Sequence, residues 1–246
     1  MWTYPKIIAH RGGGSLAPEN TLEAFQCGFN YGFRAVEFDV MLTKDLVPVV
    51  VHDEELGRTV AGQGLICEML AHDLFQLDAG SWLGREWAHV RVPSYREVLK
   101  FCTDHELWMN VEIKPAKGFE AVTGKVVAEV TKDFFDAHDF PLPLFSSFAL
   151  DALTVTQTVA PHIPRGVLFD QIPSDWHAQI RQFDAVSMHT NHKHLTQNLA
   201  GQIRQAGLGL CCYTVNDAAR AREIMNWGVD AIFTDALKLI AADFAG

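Results

Sequence analysis

The sequence predicts an α/β fold, a TIM-type (β/α)8 barrel with a small inserted subdomain after the third strand run. Three observations lead there. Short β-branched or aromatic runs alternate with amphipathic runs almost to the C-terminus, the pattern of parallel strands joined by crossover helices. The chain has 246 residues, a length at which such a barrel forms one domain. The stretch 54–92 carries GQG and DAGSW without a clear strand, and it is too long for a barrel loop. An open doubly wound sheet is the second architecture this alternation allows.

In chain order the strand candidates begin with KIIAH (6–10), AVEFDVML (35–42), VPVVVHD (47–53) and LWMNVEIK (107–114). They continue with PLFSSF (143–148), RGVLFD (165–170), AVSMHT (185–190), GLCCYTV (209–215) and AIFTD (231–235). Amphipathic runs such as TLEAFQCGFNYG, SYREVLKFCTDH and DAARAREIMNWG fill the gaps. Asn20 stands as the N-cap of the first helix, with Glu23 in the capping-box position. Nine strands are one too many for the barrel, and LTKDL alone separates AVEFDVM from VPVVVHD. A parallel crossover needs about a dozen residues, so these two runs form a hairpin. The hairpin returns His52 and Asp53 toward Glu37 and Asp39. Residues 1–246 read as a single domain, with the insertion at about 54–92.

Composition narrows the function. A net charge of −10 argues against a broad contact with nucleic acid, whereas a few local cations still suffice for a small phosphate. The five cysteines are odd in number and form no C-x-x-C, which points to a reducing compartment and away from structural zinc. No run reaches the roughly 18 apolar residues of a membrane span, and only MWTYP precedes the first strand. The expectation is a cytoplasmic protein without a secretory signal.

The polar residues inside strands carry the chemistry. Glu37 and Asp39 alternate in EFD, as do Glu112 and Lys114 in EIK, so each pair shares one strand face. His10 and His52 end their strands, and active sites of such barrels gather at the C-terminal rim. Three carboxylates converging there repel one another unless a cation joins them. Oxygen ligands select Mg²⁺ or Ca²⁺ over zinc. Two imidazoles beside that ion suit acid and base roles. Arg11 and Lys114 complement a phosphate, and both can also pair with the nearby acids. Gly12, Gly13 and Gly14 let the backbone turn tightly beneath His10 and Arg11. Together these describe a metal-assisted phosphoryl-transfer site acting on a small molecule.

Other polar residues take quieter readings. Glu19 shapes the turn, and Asp53 orients His52 or caps its turn. His189, His192 and His194 match no common zinc spacing; of the three, His189 alone looks toward the pocket, beside Asn191. Phe148, Trp82 and Tyr213 are pocket walls or core. Cys211 and Cys212 pack in an apolar strand, and RAREIMNW is a solvated helix face.

HRGGGSLAPENT, EFDVMLTKDLVPVVVHD and NVEIKP resemble the signature blocks of the glycerophosphodiester phosphodiesterase family. The resemblance continues through DAGSW, LFSSF, SMHTNHK and CYTVN…WGVDAIFTD, covering nearly the whole chain, and it is greatest to the small bacterial cytoplasmic members. It implies a TIM-type barrel with the insertion noted above. It also implies hydrolysis of glycerophosphocholine, glycerophosphoethanolamine and similar diesters to sn-glycerol 3-phosphate and an alcohol, with a divalent metal. By the same resemblance His10 and His52 are the acid–base pair, Glu37, Asp39 and Glu112 the metal ligands, and Arg11 and Lys114 the phosphate contacts. Tyr213 contacts substrate at a position where many members carry Trp, a departure that bears on the glycerol pocket. Two other readings stand beside this one. A phospholipase-type phosphodiesterase, of the lysophospholipase D or phosphatidylinositol phospholipase kind, would need an apolar or basic membrane-facing rim, which the net charge disfavours, while hydrolysis of lysophospholipids inside the cell stays open. A silent phosphometabolite-binding barrel would be expected to have lost one of the seven key residues, and none is missing.

Overall fold

The computed structural model describes residues 2–245. Nine strands form one sheet: β1 (Ile7–Ala9), β2 (Ala35–Leu42), β3 (Pro48–Val50), β4 (Trp108–Ile113), β5 (Leu144–Ser147), β6 (Arg165–Phe169), β7 (Ser187–Asn191), β8 (Gly209–Tyr213) and β9 (Ala231–Thr234). Eight of them pair in parallel, and the ring closes where β1 meets β9 on one side and β2 on the other. This is the closed TIM-type barrel that the alternation predicts. Between the strands lie α1 (Leu22–Asn30), α2 (Ala71–Leu74), α3 (Tyr95–Asp104), α4 (Glu120–Phe135), α5 (Leu150–Val159), α6 (Trp176–Gln182), α7 (Gln197–Gln205) and α8 (Ala218–Asn226).

The ninth strand lies outside the ring. β3 runs antiparallel to the upper half of β2, with Leu42 opposite Pro48 and Val40 opposite Val50. The hairpin turn carries the chain above the rim and β3 brings it back down. Val51 N–H then donates to Asp39 O at 3.0 Å, so His52 follows at the level of the acids.

Strand alternation sorts the two layers. Val36, Phe38 and Val111 face outward, into the main core beneath the helices, while Glu37, Asp39, Asn110 and Glu112 face the barrel axis. Inside, the lower barrel is filled by Ile8, Ala35, Trp108, Leu144, Cys211, Ala231 and Phe233. Trp2 and Tyr4 plug that end, Tyr4 stacking on Trp108 with ring centroids 4.3 Å apart. Gly209 leaves room for the plug, because a Cβ there would meet the Trp2 ring at 2.8 Å.

Between β3 and α3 the chain makes its excursion, two short 3₁₀ turns and α2. Val60, Ile66, Leu74 and Ala79 pack against Met41, Val49 and Val51 of the hairpin, a second small core on the rim. α3 begins with a complete capping box between Ser94 and Glu97. The cap expected at Asn20 is instead Thr21, whose hydroxyl accepts from Ala24 N–H at 3.2 Å. Asn20 adopts a left-handed φ of 60° and turns its amide toward Asp39, a pull stronger than the local cap.

The aromatic plug predicts a stability test. Trp108→Ala should cost about 3–5 kcal/mol through lost burial and the cavity left behind, read as a lower urea midpoint at unchanged slope.

Candidate active site

The site sits at the C-terminal mouth of the barrel, where each strand contributes one to three side chains. From the end of β1, His10 places Nδ1 2.6 Å from Asp235 Oδ1, beyond β9. Its Nε2 lies 3.8 Å from Glu37 Oε2 and faces the cavity. Arg11 follows with a left-handed φ of 51°, and its backbone N–H donates to Glu37 Oε2 at 3.1 Å. Strain of this kind persists only where surroundings enforce it. The glycine turn beneath is equally tight: Gly14 has φ +54°, and a Cβ there would collide with the Asp235 backbone.

The β2–β4 register sets Asp39 directly opposite Glu112 and Glu37 opposite Asn110. One carboxylate oxygen from each of Glu37, Asp39 and Glu112 lies within 4.8 Å of the others. Glu37 and Asp39 are 4% and 2% exposed, so water screens almost none of their repulsion. Burial, then the charges of Asp39 and Glu112, drive Glu37 well above the usual carboxylate range. Burial and the Asp39 charge likewise push Glu112 to about 8. Burial acts on Asp39 too, but Lys114, Arg11 and His52 outweigh it and hold its carboxyl low. Lys114 Nζ lies 3.4 Å from Asp39 Oδ1, and Arg11 Nε 3.7 Å from Oδ2. Asn20 Nδ2 adds a hydrogen bond to Asp39 Oδ2 at 2.8 Å. Only oxygen donors converge here, the set suited to a hard divalent cation.

His52 follows β3 and reaches the same cavity, its Nδ1 2.6 Å from Asp53 Oδ1. Burial, with the charges of Arg11 and Lys114, lowers its pKa against the opposing pull of Asp39. Asp53 is pulled down to about 2, because hydrogen bonds from Arg58 and His52 overcome burial.

The cavity holds about 130 Å³. His10, Arg11, Glu37, Asp39, His52, Glu112 and Lys114 line it, together with Tyr213, so the residues singled out by sequence meet in one place. Phe148, Leu168 and Phe233 form the apolar side. Tyr213 donates its hydroxyl to Phe169 O at 2.9 Å and meets Phe148 edge-on. His189 also reaches the cavity; complete burial lowers its pKa to about 3, leaving it neutral. His194 instead lies 3.6 Å from Asp170, and Asn191 donates to Asp170 at 2.9 Å. Trp82 stands 42% exposed in a neighbouring open groove of about 650 Å³.

Sequence reasoning passed over several participants. Glu19, assigned to turn shape, takes hydrogen bonds from both Arg11 and Arg58. Asp235 was visible only as the acid ending AIFTD, and Arg58 as one cation in the excursion. Asn110, a polar residue facing the axis in the middle of β4, carried the one usable signal.

The sequence profile of the glycerophosphoryl diester phosphodiesterase family matches residues 10–239. The chain belongs to that family. A glycerophosphodiester phosphodiesterase from Caldanaerobacter subterraneus is 31% identical over 231 residues, 93% of either chain. A phosphodiesterase from Oleispira antarctica, solved with the product sn-glycerol-3-phosphate, is 36% identical with TM-score 0.90, covering 97% of this chain and 96% of its own. The glycerophosphodiester phosphodiesterase structure from Agrobacterium tumefaciens is 28% identical with TM-score 0.81, covering 97% and 100%. As a member of the glycerophosphoryl diester phosphodiesterase family the chain is an enzyme. Among its described residues no helix is long and apolar enough to cross a membrane.

The buried acids predict a pH signature. Glu112 ionises near 4.5 in an unfolded chain and at about 8 in the folded one, so the folded state keeps a proton that the unfolded state releases. An imidazole in the unfolded chain is still half protonated at pH 6.5, so the lowered imidazoles of His52 and His189 oppose this loss until about pH 7.5, one unit higher. From about pH 7.5 to about 8, then, the thermal midpoint of the chelator-treated enzyme should fall as pH rises. Glu112→Gln should flatten that slope; the same slope in the variant would overturn the assignment.

Proposed function

We propose that this enzyme hydrolyses glycerophosphodiesters, such as glycerophosphocholine or glycerophosphoethanolamine, to sn-glycerol 3-phosphate and an alcohol. In this reading Glu37, Asp39 and Glu112 hold one divalent cation, Mg²⁺ or Ca²⁺, while His10 and His52 move the protons. The observation that carries it is the convergence of three carboxylates within 4.8 Å, two imidazoles and two cationic side chains on a single cavity. The acids suit a cation for a physical reason. Burial and the Asp39 charge raise the pKa of both Glu37 and Glu112, and a divalent charge would let all three ionise together. When bound, the cation supplies charge that polarises a phosphate oxygen and acidifies a hydroxyl beside it.

The chain's own residues do the rest. Arg11 and Lys114 face the phosphate oxygens, and Tyr213 with Phe148 walls the glycerol arm. His10, its Nδ1 proton held by Asp235, presents Nε2 as base toward a glycerol hydroxyl. That hydroxyl attacks phosphorus as His52 gives a proton to the departing alcohol. Water then opens the cyclic phosphodiester, each proton moving in reverse. Burial, with Arg11 and Lys114, lowers the His52 pKa, and an anionic substrate would offset the two cations. A cavity of about 130 Å³ matches a small polyol, whereas the open groove beside it places little demand on the alcohol.

The whole chain, 1–246, acts as one catalytic domain in this reading, with the excursion near 54–92 packed on the β2–β3 hairpin at the rim. Its free cysteines, four of them buried, accord with a cytoplasmic location.

A coupled assay for glycerol 3-phosphate release from glycerophosphocholine tests the proposal. EDTA should abolish turnover and Mg²⁺ or Ca²⁺ restore it; indifference to EDTA would remove the cation. His10→Ala and His52→Ala should each lose about 10²–10⁴-fold in kcat. A p-nitrophenyl diester, whose leaving group needs no proton, should recover most of the His52→Ala loss. Equal loss on both substrates would transfer the acid role to His10.

A further inference from the structure

Arg58 takes no part in the scheme above, yet its contacts reach both ends of it. It sits in the loop 55–65, where Glu55 and Leu65 form a bridge and Leu56 N–H donates to Gly64 O at 2.9 Å. Gly57 N–H donates to Val60 O at 2.8 Å across the tip, and Val60 is anchored in the small core against the hairpin. The loop therefore presents Arg58 from a fixed base. Its Nε donates to Asp53 Oδ2, which leaves Oδ1 for His52 Nδ1. Its two terminal nitrogens grip Glu19 at 2.9 and 2.7 Å, the fork geometry in which a guanidinium is most directional. Glu19 Oε1 also accepts from Arg11 at 2.7 Å. One unbroken string thus runs His52–Asp53–Arg58–Glu19–Arg11.

The two imidazoles are braced differently. Asp235, which orients His10, follows a strand of the ring and takes Asn216 Nδ2 at 2.9 Å. His52 lies off the ring, after β3, and its acid is the next residue of a loop. Without Arg58 nothing within hydrogen-bond reach restrains Asp53 Oδ2 among the described residues. The shared Glu19 matters at the other end. Glu19 is shared between Arg58 and Arg11, and Arg11 Nε remains buried and without a hydrogen-bond partner among the described residues.

We infer that Arg58 is a positioning residue, tying the His52 imidazole and the Arg11 guanidinium into one rigid unit through Asp53 and Glu19. The inference rests on the reading that His52 moves a proton and Arg11 faces phosphate. Arg58 holds the Asp53 carboxylate in one rotation, so His52 keeps its proton on Nδ1 and its Nε2 toward the cavity. It also keeps Glu19 from closing fully on Arg11, leaving that guanidinium free to meet an anion.

The test uses the full chain with its cation and two independent readouts. The first is the ¹⁵N NMR signature of the His52 ring, identified by its loss in His52→Ala. Wild type should show a single tautomer protonated on Nδ1, and Arg58→Gln averaged shifts. The second is kinetics on glycerophosphocholine. Arg58→Gln should lower kcat by about 10–100-fold, the scale of a misplaced catalytic group, and raise KM as well. Asp53→Asn should lower kcat with little change in KM, and Glu19→Gln should chiefly raise KM. Arg58→Lys keeps the charge without the fork; it should stay folded by circular dichroism and show an intermediate loss, which covers the case in which Arg58→Gln fails to fold. An unchanged His52 signature with kinetics within about twofold of wild type, too small to reflect a displaced catalytic group, would overturn the inference. If wild type itself releases no glycerol 3-phosphate, the proposed function falls, and the NMR comparison alone decides the role of Arg58.

Discussion

Three carboxylates are buried side by side at the mouth of this barrel, and most of the surrounding structure answers the cost of placing them there. The parallel register of β2 and β4 brings Asp39 against Glu112, which no single strand could do. Burial raises Glu37 and Glu112, while Asp39 stays low because Lys114, Arg11 and His52 lie around it. The backbone N–H of Arg11 on Glu37 and the amide of Asn20 on Asp39 add neutral donors. Both require left-handed backbones, φ 51° at Arg11 and φ 60° at Asn20. Local backbone strain in the HRGGG…PEN segment is thus the counterpart of charge burial on the neighbouring strand.

Much of this was legible in the sequence because it follows short-range rules. Alternation marks Glu37 and Asp39 as sharing a face, and the brevity of LTKDL forces a hairpin that delivers His52. What escaped was set by long-range partners. Local capping logic points to Asn20, yet the competing acceptor, Asp39, is on another strand, and Thr21 takes the cap. Glu19 reads as a turn residue until Arg58, 39 positions later, folds over it. Trp82 looks like a pocket wall but stands in the open groove, because the excursion packs on the hairpin and not over the cavity. The histidine run 189–194 divides for a similar reason: β7 carries His189 inward to the axis, and the chain beyond leaves the rim.

The two histidines depend on the fold in different ways. His52 and the Asp53 and Arg58 that brace it lie in one continuous stretch, the β2–β3 hairpin and the excursion packed on it. His10 needs the entire ring, because its orienting acid lies 225 residues away. That contact forms only when β9 docks on β1, aligning Ile8 with Phe233 and Ala9 with Thr234. The same docking sets Gly14 against the Asp235 backbone and seats Ser15 N–H on Asp235 O at 3.0 Å. Closing the barrel and completing the site are therefore one event. A partly assembled ring would expose the acids to water, relieve their repulsion and leave His10 free to rotate, so the geometry argues that only the closed barrel can carry the chemistry.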